Sequence, residues 1–280
     1  FIVASALILL LNLIHPFYTI PESFNEILLL SFACSLLGLL DDKYSLPSWF
    51  RLIVQFVLVA YPSIHLPLLF SHVPAYLQYI LYAISWVWFI NLFNFMDGTD
   101  GYAAQESLFI LLFIAIVAPG LRPLSVLFIA AIGGFLKVNF PKASIFMGDS
   151  ASYFLGYLLF GLMLYSFSNT PHLLIPCCII SMLFTADATY TLLKRMIKKE
   201  SFFTAHRSHW YQRLYNIGYS HTYIFWLGVS VNVFLLFLAL CSVYSGYIVI
   251  DLLLSIIALF VLSVIIVSRE KRCQLGVEEL

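Results

Sequence analysis

Charge is the scarcest property of this chain: Asp, Glu, Lys and Arg make up 10% of its 280 residues, where a soluble domain carries ~25%. The 14 basic and 14 acidic residues cancel, which excludes nucleic-acid binding driven by bulk positive charge. Glycine and proline, at 13 and 11 residues, are too few for a collagen-like or low-complexity chain. The five cysteines include no CxxC pair, so no zinc or redox motif is present. Cys34, Cys177, Cys178 and Cys241 lie in apolar runs, Cys273 follows the last one, and the expected role is that of buried small hydrophobes. What the chain has in abundance is apolar residues, 62% of the total, which excludes disorder and points to membrane spans. It opens at Phe1 inside an apolar run, with no methionine and no charged leader, so a further N-terminal portion is expected upstream.

Apolar runs near the ~20 residues that a helix needs to cross the hydrocarbon recur ten times, at about 1–14, 24–40, 50–64, 75–93, 102–118, 123–138, 152–167, 173–193, 222–244 and 247–267. They are continuously apolar, without the alternation of barrel strands. The expected fold is therefore all-α: a polytopic membrane helical bundle, one integral membrane domain over residues 1–280, with a connecting loop at 194–221. Ten alternating crossings would place Lys43, Arg51, Lys137, Lys142, Lys194, Arg195, Lys198, Lys199, Arg207, Arg213, Arg269, Lys271 and Arg272 on one side, and Arg122 alone opposite. That asymmetry marks the first side as cytoplasmic.

The acids follow the same partition. Asp41 and Asp42 end the second run, Asp97 and Asp100 the fourth, and Asp149 lies before the seventh. A carboxylate at a helix C-terminus meets partial negative charge and costs ~0.3 to 1 kcal/mol, so a cation or a proton near the first two clusters would relieve the cost, and a metal ion is the economical reading. Each cluster also has a plainer reading. Asp41-Asp42 could be a solvated loop pair, and Asp149 in FMGDS could be a helix N-cap. In NLFNFMDGTDG, Asn91, Asn94 and Asp97 recur every three residues along one helical face, and Gly98 and Gly101 allow tight backbone turns near a ligand; inter-helix bonds and a glycine-rich exit are the alternative. TAHRSHWYQRL places His206 and His209 with Arg207 and Arg213, donors suited to phosphate, or to anionic headgroups. All four clusters share one membrane face. Mg²⁺ takes one or two carboxylates and leaves room for substrate phosphates, and phosphoryl transfer needs positioning and charge neutralisation. The sequence therefore points to phosphate chemistry at that face.

These segments resemble the polyprenyl-phosphate N-acetylhexosamine-1-phosphate transferases, of the glycosyltransferase family 4 type. GLLDDKYSLPSWFRLIVQ, with Leu46, Arg51 and Gln55, is similar to the family's aspartate-pair segment, NLFNFMDGTDG to its second motif and FPKASIFMGDSAS to its third, while ADATYTLLKR leads into the histidine loop. HRSHWYQ is most similar to the branch that starts O-antigen and related surface glycans. The resemblance implies transfer of an N-acetylated sugar 1-phosphate from a UDP-sugar to undecaprenyl phosphate, with release of UMP, at the cytoplasmic face of the bacterial inner membrane.

By the same resemblance Asp41 and Asp42 would be the catalytic base and positioning group. Asn94 and Asp149 would hold Mg²⁺, with Mn²⁺ a substitute. Asn91, Asp97 and Asp100 would line the donor pocket, Phe146 would pack on uracil, and His206, Arg207, His209 and Arg213 would hold donor phosphates. A phosphomonoester with a second pKa near ~6 is already largely dianionic at neutral pH, which favours direct attack over a covalent aspartyl intermediate. The family also implies an eleventh span and a glycine-rich loop ahead of Phe1, and Lys142 stands where relatives often have a small residue. Besides the donor, the acceptor lipid and membrane lipid, a homodimer is an open partner reading; nucleic acid is not expected. Two rival functions leave more residues unused. An intramembrane aspartyl protease needs only two aspartates, and a transporter would place its polar residues at midplane. Asp187 and Glu106, within runs, would support the site or pair structurally.

Overall fold

The computed structural model describes residues 22–200 and 207–274, which form eleven α-helices and two short 3₁₀ turns. The helices are α1 Glu22–Tyr44, α2 Ser48–His65, α3 Ala75–Met96, α4 Tyr102–Val117, α5 Arg122–Asn139, α6 Gly148–Asn169, α7 Leu174–Ile180, α8 Met182–Ile197, α9 Trp210–Asn216, α10 His221–Ser245 and α11 Ile248–Gln274. Six of them, α1, α3, α5, α6, α10 and α11, are long and apolar enough to cross a membrane, and the α7–α8 pair makes a seventh if counted as one span. The chain is a polytopic membrane bundle.

The count differs from the ten expected runs for three physical reasons, and the run at 1–14 lies outside the described residues. The run at 173–193 is broken: α7 and α8 meet at 70°, where the Ser181 hydroxyl donates back to the carbonyls of Cys177 (3.0 Å) and Cys178 (3.3 Å), a local competitor for helix bonding. The run at 50–64 is helical, but α2 carries Arg51, Gln55, Pro62, Ser63 and His65 along its 18 residues. The run at 102–118 forms a helix of only 16 residues, short for a span. The cysteines also divide: Cys34 and Cys177 are buried, whereas Cys178 is exposed, so the expectation of burial fails there.

Helix α6 is the axis of the bundle. Its apolar window is 78% buried, against 17% for α11. It packs between α1 and α3 at distances that only glycine permits. A Cβ on Gly38 would lie 2.3 Å from the Asp149 carbonyl oxygen, one on Gly156 would lie 2.9 Å from the Ile90 Cα, and one on Gly161 would lie 2.6 Å from Ile27. Such small-residue contacts let membrane helices approach closely where no hydrophobic drive exists between them. Polar clasps add direction: Trp86 Nε1 donates to the Tyr157 carbonyl (2.9 Å) and the Tyr157 hydroxyl to the Leu58 carbonyl (2.8 Å).

The C-terminal ends of α1, α3 and α5 and the first half of α8 gather with the N-terminal ends of α2, α4, α6 and α9. Contacts across this end tie Asp41 to Arg51, Asn94 to Asp149, Gly101 to Asn139 and Trp210 to Asp187. The turn between α2 and α3 closes the opposite end. There the Gln78 amide accepts from Leu69 and Phe70 N–H and donates to the Phe70 and Val73 carbonyls, all within 2.9 Å.

Candidate active site

Adjacent residues on a helix point about 100° apart, and the aspartate pair at the end of α1 uses that divergence. Asp41 turns inward and is 5% exposed. Its Oδ1 accepts the Leu46 N–H (2.8 Å), and its Oδ2 accepts from Arg51 Nη1 (2.5 Å) and the Tyr153 hydroxyl (3.1 Å). Arg51 is fixed in turn by Tyr153 (3.1 Å) and Ser48 (3.0 Å). Asp42 is exposed and reaches sideways, accepting the backbone N–H of Asp149 (3.1 Å) and Ser150 (3.3 Å) at the start of α6. It satisfies two of the donors that a helix start leaves open and comes from a helix 107 residues away in sequence. Gly148, at φ 64°, makes this possible, since a Cβ there would sit 3.1 Å from Asp42 Oδ2.

Asp149 occupies the first turn of α6. Asn94, in the last turn of α3, donates from one Nδ2 to Asp149 Oδ1 (2.7 Å) and to the Ser152 hydroxyl (2.9 Å). Asp97 ends α3, its N–H bonded to the Asn94 carbonyl (3.2 Å). Burial and the nearby Asp149 carboxylate push the Asp97 carboxyl up to about 7. The described arginines pair elsewhere, as Arg51–Asp41, Arg195–Glu200 and Arg213–Glu270. Asp42, Asp97 and Asp149 take part in none of these pairs. Five of the expected residues, Asp41, Asp42, Asn94, Asp97 and Asp149, therefore meet at one end of the bundle.

The others are placed around them. Asn91, one turn deeper on α3, donates to Gln55 Oε1 (2.6 Å) on α2 and to the Val87 carbonyl. Asp100 bonds the Ala143 N–H (3.1 Å) and faces His221 Nδ1 at 3.3 Å, so it fastens the 140–147 segment and the start of α10 to the α3–α4 turn. Phe146 projects from that segment, 75% exposed. His209 is buried, with Nδ1 3.5 Å from Asp187. Arg213 pairs with Glu270 of α11, and Arg207 lines a neighbouring groove with Lys194, Lys198 and Arg213. His206 lies outside the described residues.

A match to the family model described as Glycosyl transferase family 4 covers residues 25–167, half of the chain and all of the site formed by α1, α3 and α6. The chain belongs to glycosyl transferase family 4. It is 34% identical over 208 residues to a Bacillus subtilis (strain 168) protein named probable undecaprenyl-phosphate N-acetylglucosaminyl 1-phosphate transferase, covering 68% of this chain and 58% of that one. It is 35% identical over 138 residues to a Thermotoga maritima undecaprenyl-phosphate alpha-N-acetylglucosaminyl 1-phosphate transferase, covering 49% and 44%. With the Mycobacterium leprae decaprenyl-phosphate N-acetylglucosaminephosphotransferase it shares 27% over 243 residues, covering 69% and 59%. The chain thus spans roughly half the length of these relatives.

Within the family 4 chain, the histidine segment lies beyond the matched residues, and its anchoring is a separate device. Buried Asp187 on α8 accepts the Trp210 N–H at 2.9 and 3.1 Å and the Thr191 hydroxyl at 3.1 Å. Of the two readings open for Asp187, the geometry favours orientation of the histidine segment. Tyr211 docks α9 onto the end of α3: its hydroxyl donates to the Phe95 carbonyl (3.0 Å) and occupies the space a Cβ on Gly98 would take. Sequence reasoning passed over Tyr153, Ser152, Tyr211 and His221. Tyr153 could have been found, since it stands four residues after Asp149 and so shares its helical face.

Asp97 and Asp149 carry hard carboxylate oxygens of the kind that Mg²⁺ takes, while Asn94 presents its amide nitrogen, a donor, to Asp149. Among the described residues, no three His, Cys, Asp or Glu side chains form a group that could hold a metal ion. An ion here would complete its sphere with water and substrate oxygens, as Mg²⁺ commonly does.

Proposed function

We propose that the whole protein transfers an N-acetylated sugar 1-phosphate, with N-acetylglucosamine 1-phosphate the first choice, from a UDP-sugar to undecaprenyl phosphate. The product would be the first lipid-linked intermediate of an O-antigen-like or related cell-surface glycan. The observation that carries this reading is the meeting of Asp41, Asp42, Asn94, Asp97 and Asp149 at one bundle end, where Asp41 is the one of these carboxylates that pairs with Arg51. Family membership and the names of the relatives support it. In the proposed topology the molecule is a single domain of the bacterial inner membrane, α2 and α4 complete crossings that their neighbours' reversals require, and this end faces the cytoplasm, where nucleotide sugars are available.

In the reaction a lipid phosphate oxygen forms a bond to the sugar-linked phosphorus, the bond from that phosphorus to the bridging oxygen breaks, and UMP departs with that oxygen. Asp149, with the Asn94 amide and Asp97 beside it, would hold Mg²⁺ or Mn²⁺. The ion would neutralise diphosphate charge and favour departure of UMP. Asp41 already accepts three hydrogen bonds and is almost fully buried. That environment makes it a poor nucleophile, which favours direct attack by the lipid phosphate; its role is to fix Arg51 near the acceptor. Asp42 sets the start of α6 and so the position of Asp149. Arg207, His206 and the exposed Phe146 remain assigned to the donor, and Asp100 and His209 to the framework of its pocket.

The test is UMP release by the whole protein in lipid nanodiscs, with short-chain polyprenyl phosphate, Mg²⁺ and a panel of UDP-N-acetyl sugars that includes 6-deoxy types. Release with at least one sugar is expected. Asp149→Asn should lower the rate on the order of 10² to 10³-fold with thermal unfolding unchanged. No release from any sugar would refute the transferase reading, and full activity of Asp149→Asn would refute the assignment of the ion. Exchange of the bridging oxygen in UDP-sugar without acceptor lipid would favour a covalent aspartyl intermediate instead.

A further inference from the structure

Outside the site, a polar cluster is sealed between α4 and α10. Gln105, Glu106 and Asn232 are each no more than 1% exposed. Asn232 Nδ2 donates to both Glu106 Oε2 (2.6 Å) and Gln105 Oε1 (3.1 Å). The remaining polar atom of each side chain, Glu106 Oε1, Gln105 Nε2 and Asn232 Oδ1, has no hydrogen-bond partner. Each is bonded to the same carbon as an atom that takes part in the Asn232 bonds, so the three belong to one buried cluster. An orphaned buried donor or acceptor costs ~1 to 3 kcal/mol, and three in one place call for a ligand. The inventory of missing bonds, one donor and two acceptors, matches one water molecule that accepts from Gln105 Nε2 and donates to Glu106 Oε1 and Asn232 Oδ1.

The cluster is also a junction. Gly228, one turn before Asn232, brings α10 so close that a Cβ would lie 2.9 Å from Gln105 Nε2 and 2.7 Å from the Tyr102 ring. Tyr102 packs on Phe184 of α8 at 5.1 Å and on Tyr211 of α9 at 5.5 Å between centroids. From Tyr211 the contact continues to Phe95 at the end of α3. We propose that Gln105, Glu106 and Asn232 enclose one buried water, and that this hydrogen-bonded hub positions α10 and, through Tyr102 and Tyr211, helix α9, which His209 precedes. Glu106 is then a positioning residue about one turn along α4 from the site, with no contact to substrate. Its effect on catalysis rests on the transferase reading; its effect on α9 does not.

The experiment is hydrogen exchange of the α9 amides in the whole protein in nanodiscs, for wild type, Glu106→Leu, Asn232→Leu, the double variant and Glu106→Gln, with the KM for UDP-sugar measured in parallel. Each single leucine variant should speed α9 exchange at least ~5-fold and raise KM more than it lowers kcat. The double variant should cost less than the sum of the two, because the apolar pair leaves fewer orphaned atoms. Glu106→Gln should behave like wild type, since the amide still accepts from Asn232 and donates to the same water. Unchanged α9 exchange in both single variants would overturn the hub. A Glu106→Gln variant as damaged as Glu106→Leu would show that the carboxylate charge itself is needed, as for a bound cation, and would overturn the water. If wild type released no UMP, the exchange pattern would still decide the proposal.

Discussion

The two faces of the aspartate end carry similar side chains in opposite electrostatic states. On one face, Asp41 sits in a largely closed set: Arg51 neutralises it, Tyr153 and the Leu46 N–H bond it, Ser48 braces the arginine, and the Asp149 side chain lies within hydrogen-bond reach. On the other, Asp42, Asp97 and Asp149 stand around Asn94 with no arginine or lysine ion pair among the described residues. A buried pair completed by hydrogen bonds is structure that needs no ligand. Clustered carboxylates without a counter-charge are an expense that a cation or a proton must offset, and burial, with the nearby Asp149 carboxylate, pushes the Asp97 carboxyl up to about 7. The closed half is met by partners within the protein and the open half carries no counter-charge among the described ion pairs, and helix α6 joins them by carrying Tyr153 and Asp149 one turn apart.

Removing the counter-charge from the closed half should have the largest effect. Arg51→Met leaves Asp41 buried and charged, and a loss of ~3 kcal/mol in unfolding free energy is expected. Asp41→Leu combined with Arg51→Met should recover part of it, and a strictly additive double variant would show that the two halves do not differ as argued. Next, Gly38→Ala drives a methyl group into the backbone of Asp149. A cost of ~1 to 3 kcal/mol should come with loss of activity, because α6 must shift at the residue that matters; a stable and active Gly38→Ala protein would contradict the close packing. Asp42→Ala should cost ~1 kcal/mol by uncapping α6. Asp42→Asn keeps an acceptor and should recover most of the stability, so any activity still missing in the asparagine variant measures the charge alone.

The smallest effect concerns protons. Asp97 holds a proton up to about pH 7, and a divalent ion nearby must displace it. Apparent Mg²⁺ affinity should therefore rise as pH increases from 6 toward 7, by no more than ~10-fold per unit, and level off above. Asp97→Asn should flatten that slope, and an unchanged slope would place the titrating group elsewhere.

Much of the open half was legible in the sequence. The three-residue spacing of Asn91, Asn94 and Asp97 reports a helical face, and the alternation of spans put Asp41, Asp97 and Asp149 at one end. What joins those residues was not legible, because local periodicity carries no information about contacts between distant helices. The cap from Asp42 onto α6, the bond from Trp210 N–H to Asp187 and the pairing of Arg213 with Glu270 each link residues 23 to 107 positions apart. The plain N-cap reading of Asp149 also gains a twist: α6 is capped, but Asp42 supplies the cap and the Asp149 carboxylate turns to Asn94 instead. The break at Ser181 was hidden for a different reason, since a serine that bonds back to Cys177 leaves hydropathy over 173–193 almost unaltered.

The contrast between the halves is tested most directly by Mn²⁺ binding, followed by electron paramagnetic resonance on the whole protein without substrates. One site displaced by Mg²⁺ is expected in wild type, retained in Asp41→Asn and lost in Asp149→Asn. Retention of that site in Asp149→Asn, or its loss in Asp41→Asn alone, would contradict the division of the aspartates into a closed pair and an open, cation-binding set.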